Sequence, residues 1–274
     1  MKKIVVSLAL VLCMLLSVAA YADALPEDVQ AIKDRGVLRV GCKVDVIGFG
    51  LQDTLTGEFS GLEIDIARKL AEELGVDVEF TPVTAATRGQ LIDSGDLDMV
   101  LATFTITEER KEQWDFSSSY YTDYVSLLVE KTSGISTLED LKGKTVGAAS
   151  GATSARAVVE AMLDEGVIEE PDYDRALFDP STWTNGVTFR LYPDYPSIST
   201  ALSGGEVDAF AMDMSTLAFY KGDTRDYVDA KFAPQDYGVC TKKGSDLSAW
   251  VEGYISAWLE DGTIDELQAA NNLK

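Results

Sequence analysis

The stretches SGDLDMVLAT (94–103) and GGEVDAFAMD (204–213) read alike: a helix end, a turn and then a buried strand. VGCK (40–43) and VGAA (146–149) form a second matched pair. A chain carrying this short repeat is constrained to build the same strand–helix–strand unit twice. The match places Thr103 and Asp213, and likewise Lys43 and Ala149, at the carboxyl ends of equivalent strands. Ligands of open α/β sheets bind just beyond those ends, so two such units facing one another would enclose a cleft.

Periodicity fills in the units. VLRVGCK (37–43) reads as a strand, and GLEIDIARKLAEELG (61–75) as a helix with Leu62, Ile66, Ala67, Leu70, Ala71 and Leu74 on one face. GVDVEFTPV (75–83) alternates as a half-buried strand, a short helix covers 87–94, and DMVLATFT (98–105) is a fully buried strand. The second unit starts at GKTVGAASG (143–151) and continues with a helix striped by Ala155, Val158, Val159, Met162 and Leu163. A strand at 187–192, a helix over 196–204 and a strand at 207–213 complete it. Strands alternating with helices predict a mostly parallel α/β sheet in each unit. Leu247, Trp250, Val251, Tyr254, Ile255 and Trp258 recur at helical spacing near the C-terminus and read as core. The segment 168–186 holds prolines and acidic residues without a period and reads as an inserted surface loop, plainly solvated or else touching a partner or the cleft rim.

Residues 1–24 have the pattern of a secretory signal peptide: Lys2-Lys3, an apolar run from Ile4 to Val18, and a small-x-small site near Ala22 and Ala24. Leu12 before Cys13 does not fit a lipoprotein signal, so the expected product is an exported protein that is neither lipid-anchored nor membrane-embedded. The formal net charge is −23, and removing the leader makes it slightly more negative. Such a chain repels nucleic acid and anionic membranes; an anionic ligand must be drawn in by a local cluster of cations. The chain has no histidine, which removes Ser-His and Cys-His nucleophile pairs and histidine metal sites. No cofactor or metal is implied.

In TFTITEERKEQWDFS (103–117), Thr107 suits a helix N-cap and Glu108 and Glu109 suit the positive end of the helix dipole. Arg110 falls in the same first turn, where a cation is disfavoured by a few tenths to ~1 kcal/mol. Local rules tend to be broken at functional sites, although an exposed arginine paired with a nearby glutamate would look the same.

Taken in order, GLEIDIARKLAEELG, TFTITEER…DFSSSYY, GKTVGAASGATS and GGEVDAFAMD resemble the polar-amino-acid solute-binding proteins of ABC transporters, bacterial extracellular solute-binding protein family 3. The resemblance spans essentially the whole chain after residue 24. It implies two Rossmann-like lobes joined by two crossing strands near Tyr120–Tyr124 and Ala233–Tyr237, closing on a ligand in the interlobe cleft (periplasmic-binding-protein-like, type II). The first lobe would comprise 25–121 and 236–274, and the second 122–235 with the insertion 168–186. Thr87-Arg88-Gly89, Lys43 and Pro-Asp-Tyr-Pro-Ser (193–197) are similar to the aspartate/glutamate-binding branch.

The resemblance also implies roles. Arg110 would clamp the ligand's α-carboxylate bidentately, with Thr103, Thr105 and Thr153 around it as hydroxyl and backbone donors. Asp213 would accept the α-ammonium, a role compatible with capping the following helix. Lys43 and Arg88 would face a second carboxylate; an exposed charge is the alternative for Arg88. Tyr195 would line the cleft, although an aromatic after a strand more often packs. The implied function is capture of L-aspartate or L-glutamate by a periplasmic monomer that delivers it to an ABC transporter permease, with no enzymatic activity. A periplasmic cyclohexadienyl (prephenate/arogenate) dehydratase on the same fold stays open here, because its substrate also carries two carboxylates, as does an adhesin or surface antigen. In this fold Cys42 and Cys240 lie two strands apart, ~9.6 Å, beyond the ~7 Å Cα limit for a disulfide, so both are expected to be free thiols.

Overall fold

The computed structural model describes residues 25–169, 171 and 177–274. The expected signal peptide, and residues 170 and 172–176 of the expected insertion, lie outside the described residues.

The chain opens with α1 (Glu27–Arg35) and β1 (Val37–Cys42). A small antiparallel sheet follows, made of β2 (Asp45–Val46), β3 (Gly50–Gln52) and β4 (Phe59–Ser60). It leads into α2 (Leu62–Leu74), whose buried face carries the six residues that the helical period picked out, together with Glu63 and Ile64. Gly61, just before this helix, has φ 125°, and a Cβ there would sit 2.2 Å from the Phe49 carbonyl oxygen. Only glycine lets the two backbones approach so closely.

Then come β5 (Asp77–Pro82), α3 (Arg88–Asp93), β6 (Met99–Leu101), α4 (Glu108–Gln113) and β7 (Trp114–Phe116). β8 (Tyr121–Glu130) leads to β9 (Lys144–Ala149), α5 (Ser154–Asp164), β10 (Val187–Tyr192), α6 (Tyr195–Ser203) and β11 (Ala209–Asp213). The chain finishes with α7 (Met214–Tyr220), β12 (Arg225–Tyr227), β13 (Phe232–Tyr237), β14 (Cys240–Lys242), α8 (Asp246–Glu260) and α9 (Thr263–Ala270).

The two large sheets define two lobes, and the sequence repeat reappears in their topology. One sheet runs β5–β1–β6–β14–β7 and the other β10–β9–β11–β8–β12. In each, three parallel strands carry the repeat and the fourth is antiparallel. β8 and β13 pair antiparallel between the lobes, with Tyr121 opposite Tyr237 and Thr122 opposite Asp236. An isolated bridge from Thr105 to Tyr237 ties the first lobe to this ribbon.

Leu247, Val251, Ile255 and Trp258 of α8 join the first lobe's core, while Trp250 and Tyr254 pack against it partly buried. Cys42 and Cys240 are buried free thiols on β1 and β14, with β6 between them, as the fold required. One strand expectation is corrected. The stretch 98–105 is not continuous: β6 stops at Leu101, and Thr103 turns into the left-handed region at φ 45°. That turn shapes the site.

Candidate functional site

Thr103 is held in its unusual conformation from behind. Its N–H donates to Glu63 Oε1 at 2.6 Å, and the Tyr120 hydroxyl donates to the same oxygen at 2.5 Å. The turn leaves the carbonyls of Ala102 and Thr103 to accept from Arg88 Nη1 at 2.6 and 3.0 Å. Arg88 is the first residue of α3 and is 3% exposed. Its guanidinium carbon lies 3.9 Å from the centroid of the Phe104 ring, and that of Arg110 lies 4.8 Å from the same ring. Two cations thus share one aromatic ring, each attracted to its quadrupole.

Arg110 is placed by the cap foreseen in the sequence: the Thr107 hydroxyl accepts from the Arg110 N–H at 3.2 Å. The exposed-arginine alternative does not hold, since the guanidinium donates to Thr105 O at 2.7 Å and, across the lobes, to Gly151 O at 3.1 Å. Neither Arg88 nor Arg110 has an acidic partner within salt-bridge distance among the described residues. Burial lowers the basicity of Arg110, and the neighbouring charge of Arg88 lowers it further. Two guanidinium groups are therefore held close together, and among the described residues the nearby carboxyls that act on them, Asp213 on both, Glu63 on Arg88 and Glu109 on Arg110, stand beyond salt-bridge distance.

Lys43, 3% exposed, follows β1 and sits 4.3 Å from the centroid of the Tyr195 ring, which comes from the other lobe. Its ammonium is 3.2 Å from Asp45 Oδ1, so Lys43 is not the unmatched cation that its assignment to a second carboxylate suggested. Asp213 ends β11 and occupies the N-cap position of α7, but its side chain makes no capping hydrogen bond. Oδ2 instead accepts from the Tyr237 hydroxyl, and Oδ1 has no partner among the described residues. Burial, then the nearby Asp123 charge, pushes the Asp213 carboxyl up to about 7, against the pull of the Tyr237 hydrogen bond, Arg88 and Arg110. Burial likewise pushes Glu63 up to about 7, opposed by its bonds from Tyr120 and Thr103.

The structure brings the sequence-predicted residues together, with protein partners for Lys43, Thr105 and Thr153 that the sequence did not foresee. The hydroxyls of Thr105 and Thr153, expected to serve a ligand, both donate to Gln235 Oε1, at 2.8 and 2.6 Å, joining the two lobes through β13. Arg88 Nε, Thr103 Oγ1, Tyr195 OH and Asp213 Oδ1 are buried without a hydrogen-bond partner among the described residues. Buried polar atoms are seldom left unsatisfied, which makes this cluster of both signs the candidate site for a charged polar molecule.

A cavity of about 620 Å³ adjoins the Arg110 end, lined by Thr105, Gly151, Thr153, Gln235 and Phe178 among others. Phe178 and Pro180 come from the inserted segment, which is not simply a solvated loop: Phe178 packs on Trp183 and Phe189 and walls this cavity.

Sequence reasoning missed Glu63, Phe104, Gln235 and Tyr237. Glu63 alone left a signal, an acidic residue on the buried face of an amphipathic helix.

The chain matches the profile of the bacterial extracellular solute-binding proteins, family 3, over residues 38–271. It is 33% identical to the ABC transporter glutamine-binding protein GlnH of Bacillus subtilis, over 90% of this chain and 85% of that protein. It is 30% identical to the glutamate-binding protein GluB of Corynebacterium glutamicum, over 87% of this chain and 79% of that one. Among solved structures it is similar to the ancestral amino acid-binding protein AncCDT-1, a precursor of cyclohexadienyl dehydratase. That match has a TM-score of 0.72 and 30% identity and covers 88% of this chain and 98% of the other. These named relatives are binding proteins rather than enzymes, and no described helix is long and apolar enough to cross a membrane. With this profile match, two lobes of type II topology and a buried polar cleft between them, the chain belongs to the bacterial extracellular solute-binding proteins, family 3.

Proposed function

We propose that the protein captures an acidic amino acid, L-aspartate or L-glutamate, and delivers it to an ABC importer. The observation that carries this reading is the pair of guanidinium groups on Phe104, Arg88 buried and Arg110 half-buried, whose hydrogen-bond partners are uncharged carbonyl oxygens. A buried charge is costly unless paired. The α-carboxylate of any amino acid supplies one anion, to Arg110, and its ammonium goes to Asp213 Oδ1. Arg88 then calls for a second anion, which a side-chain carboxylate provides and an amide does not. Thr103 Oγ1 and Tyr195 OH add hydroxyl groups to the same enclosure. Lys43, already paired with Asp45, contributes through the Tyr195 wall rather than as a free charge.

In this reading the protein is exported by its leader and works in the periplasm as a monomer. The lobes are 25–121 with 236–274, and 122–235, a division supported by the β8–β13 ribbon between the sheets.

Titration calorimetry with aspartate, glutamate, asparagine and glutamine tests the ligand class. Both acids should bind at least ~100-fold more tightly than the amides, because an amide leaves the Arg88 charge without a second anion. Arg88→Met should weaken the acids and narrow that gap. Equal binding of glutamine and glutamate by the wild type would overturn the acidic-ligand reading.

A further inference from the structure

The Asp213 carboxylate is held by a residue on the strand that runs between the lobes. Tyr237, on β13, is 0% exposed. Its ring meets Phe49 edge-on, with centroids 5.7 Å apart, and stacks on Tyr121 at 6.1 Å. With the ring fixed on these sides, the hydroxyl lies between two carboxylates: it donates to Asp213 Oδ2, and Asp123 Oδ2 is 3.4 Å away.

A phenol has one proton and serves one carboxylate fully. Asp123 does not need it, because Oδ1 accepts from the Tyr124 N–H and Oδ2 from both the N–H and the hydroxyl of Ser215. Asp213 has no other hydrogen-bond partner among the described residues. Ser215 lies two residues beyond Asp213, so Asp123 also anchors the peptide that carries it.

We propose that Tyr237 is a positioning residue: it ties down Asp213 Oδ2, leaves Oδ1 for the ligand's ammonium, and so couples the ammonium site to the strand joining the lobes. This inference rests on the reading of Asp213 as the ammonium acceptor.

The proton balance makes it testable. The groups acting on Asp213 are Asp123 from β8 and Tyr237 from β13, Arg88 from α3, Arg110 from α4, and Tyr195 from α6. Asp123 opposes ionisation, while the Tyr237 bond and the two arginines favour it. A bound ammonium also favours the ionised form, so below about 7 binding expels a proton from Asp213 and affinity rises with pH. Removing the phenol's hydrogen bond withdraws support from the carboxylate and moves the plateau to higher pH. A hydrogen bond to a charged group corresponds to a shift of about one to two pH units.

The experiment is calorimetry on the full chain between pH 5.5 and 8, with L-glutamate and L-glutamine as probes, since both carry the ammonium. Tyr237→Phe keeps the ring and its packing. At pH 5.5 it should bind roughly ten- to a hundred-fold more weakly than wild type, with the gap narrowing steadily towards pH 8. Asp123→Asn, which removes the opposing charge, should move the plateau the other way. A wild-type profile for Tyr237→Phe, or a loss equal at every pH, overturns the proposal, and so does an alkaline shift in Asp123→Asn. Asp213→Asn separates the layers: if it binds both probes like wild type, the ammonium assignment itself is wrong. If it abolishes binding while Tyr237→Phe titrates like wild type, only the present inference fails.

Discussion

The two halves of the cleft hold their charges differently. On the first lobe, the segment following β6 gathers Arg88 and Arg110 around one phenyl ring and secures them with backbone carbonyls. On the second, β11 presents one carboxylate fixed by a single phenol, with one oxygen unengaged. The cation half is thus overdetermined in position and undercompensated in charge, whereas the carboxylate half is balanced for a single ammonium. In the proposed reading the second lobe takes the ammonium alone, while the first lobe takes both carboxylates, the shared one at Arg110 and the side chain's at Arg88.

The largest effect is expected at Arg110. Arg110→Ala leaves the ligand's α-carboxylate buried beside fewer donors, which should cost ~2–5 kcal/mol in binding, or roughly thirty-fold to several-thousand-fold in affinity. Binding within threefold of wild type, with the melting curve unchanged, would mean that Arg110 does not clamp the ligand.

Glu63 tests whether the cation half is neutralised from behind. Its carboxyl is fully buried and raised to about 7, so between its unfolded value near 4.5 and about 7 the folded state holds a proton that the unfolded state has lost. The contribution to stability therefore falls as pH rises through that window. Glu63→Gln, which keeps an acceptor for Thr103 and Tyr120, should remove up to ~3 kcal/mol of this pH dependence from the ligand-free protein, the part due to Asp213 remaining. Denaturant melts of both proteins at pH 4.5 and 7.5 measure it. Identical slopes would mean that Glu63 is ionised throughout and already compensates Arg88 and Lys43.

Gly151 tests the seam between the halves. It has φ 77°, and a Cβ there would come within 2.8 Å of Ala85 O and 2.9 Å of Ala86 Cα on the opposite lobe. Gly151→Ala should hold the lobes slightly apart and weaken ligand binding by ~1–3 kcal/mol, the usual cost of overpacking, with small-angle scattering showing a larger ligand-bound radius. Unchanged affinity and radius would mean that the closed contact at Gly151 is not needed to hold the ligand.

The sequence carried the parts of this molecule that repeat or run long. The face of α2, the strand at 187–192 and the parallel core strands were legible because burial imposes a period on them. Strands β2, β4 and β12 were not, since two or three residues cannot display a period. The interruption of 98–105 at Thr103 was hidden for a different reason. A threonine at positive φ contradicts local preference and is stabilised there by Glu63 and Tyr120, both distant in the chain. Arg110 drew notice as a cation in a helix's first turn, yet α4 has only six residues, so Arg110 also falls in its last turn, where a cation suits the dipole. Its companions Phe104, Gln235 and Tyr237 obeyed every local rule, and only their contacts set them apart.

The free thiols of the first lobe have a practical consequence. Burial pushes Cys42 up to about 12 and raises Cys240 as well, so both are protonated and shielded where they stand. A thiol reagent attacks the thiolate and needs access to it, so each can be labelled only when its strand is momentarily released. Cys42 and Cys240 flank β6, and the second lobe contains no cysteine. Labelling kinetics would therefore time the opening of one lobe against a silent partner, and a ligand that tightens the whole molecule would register as a slower clock at both positions.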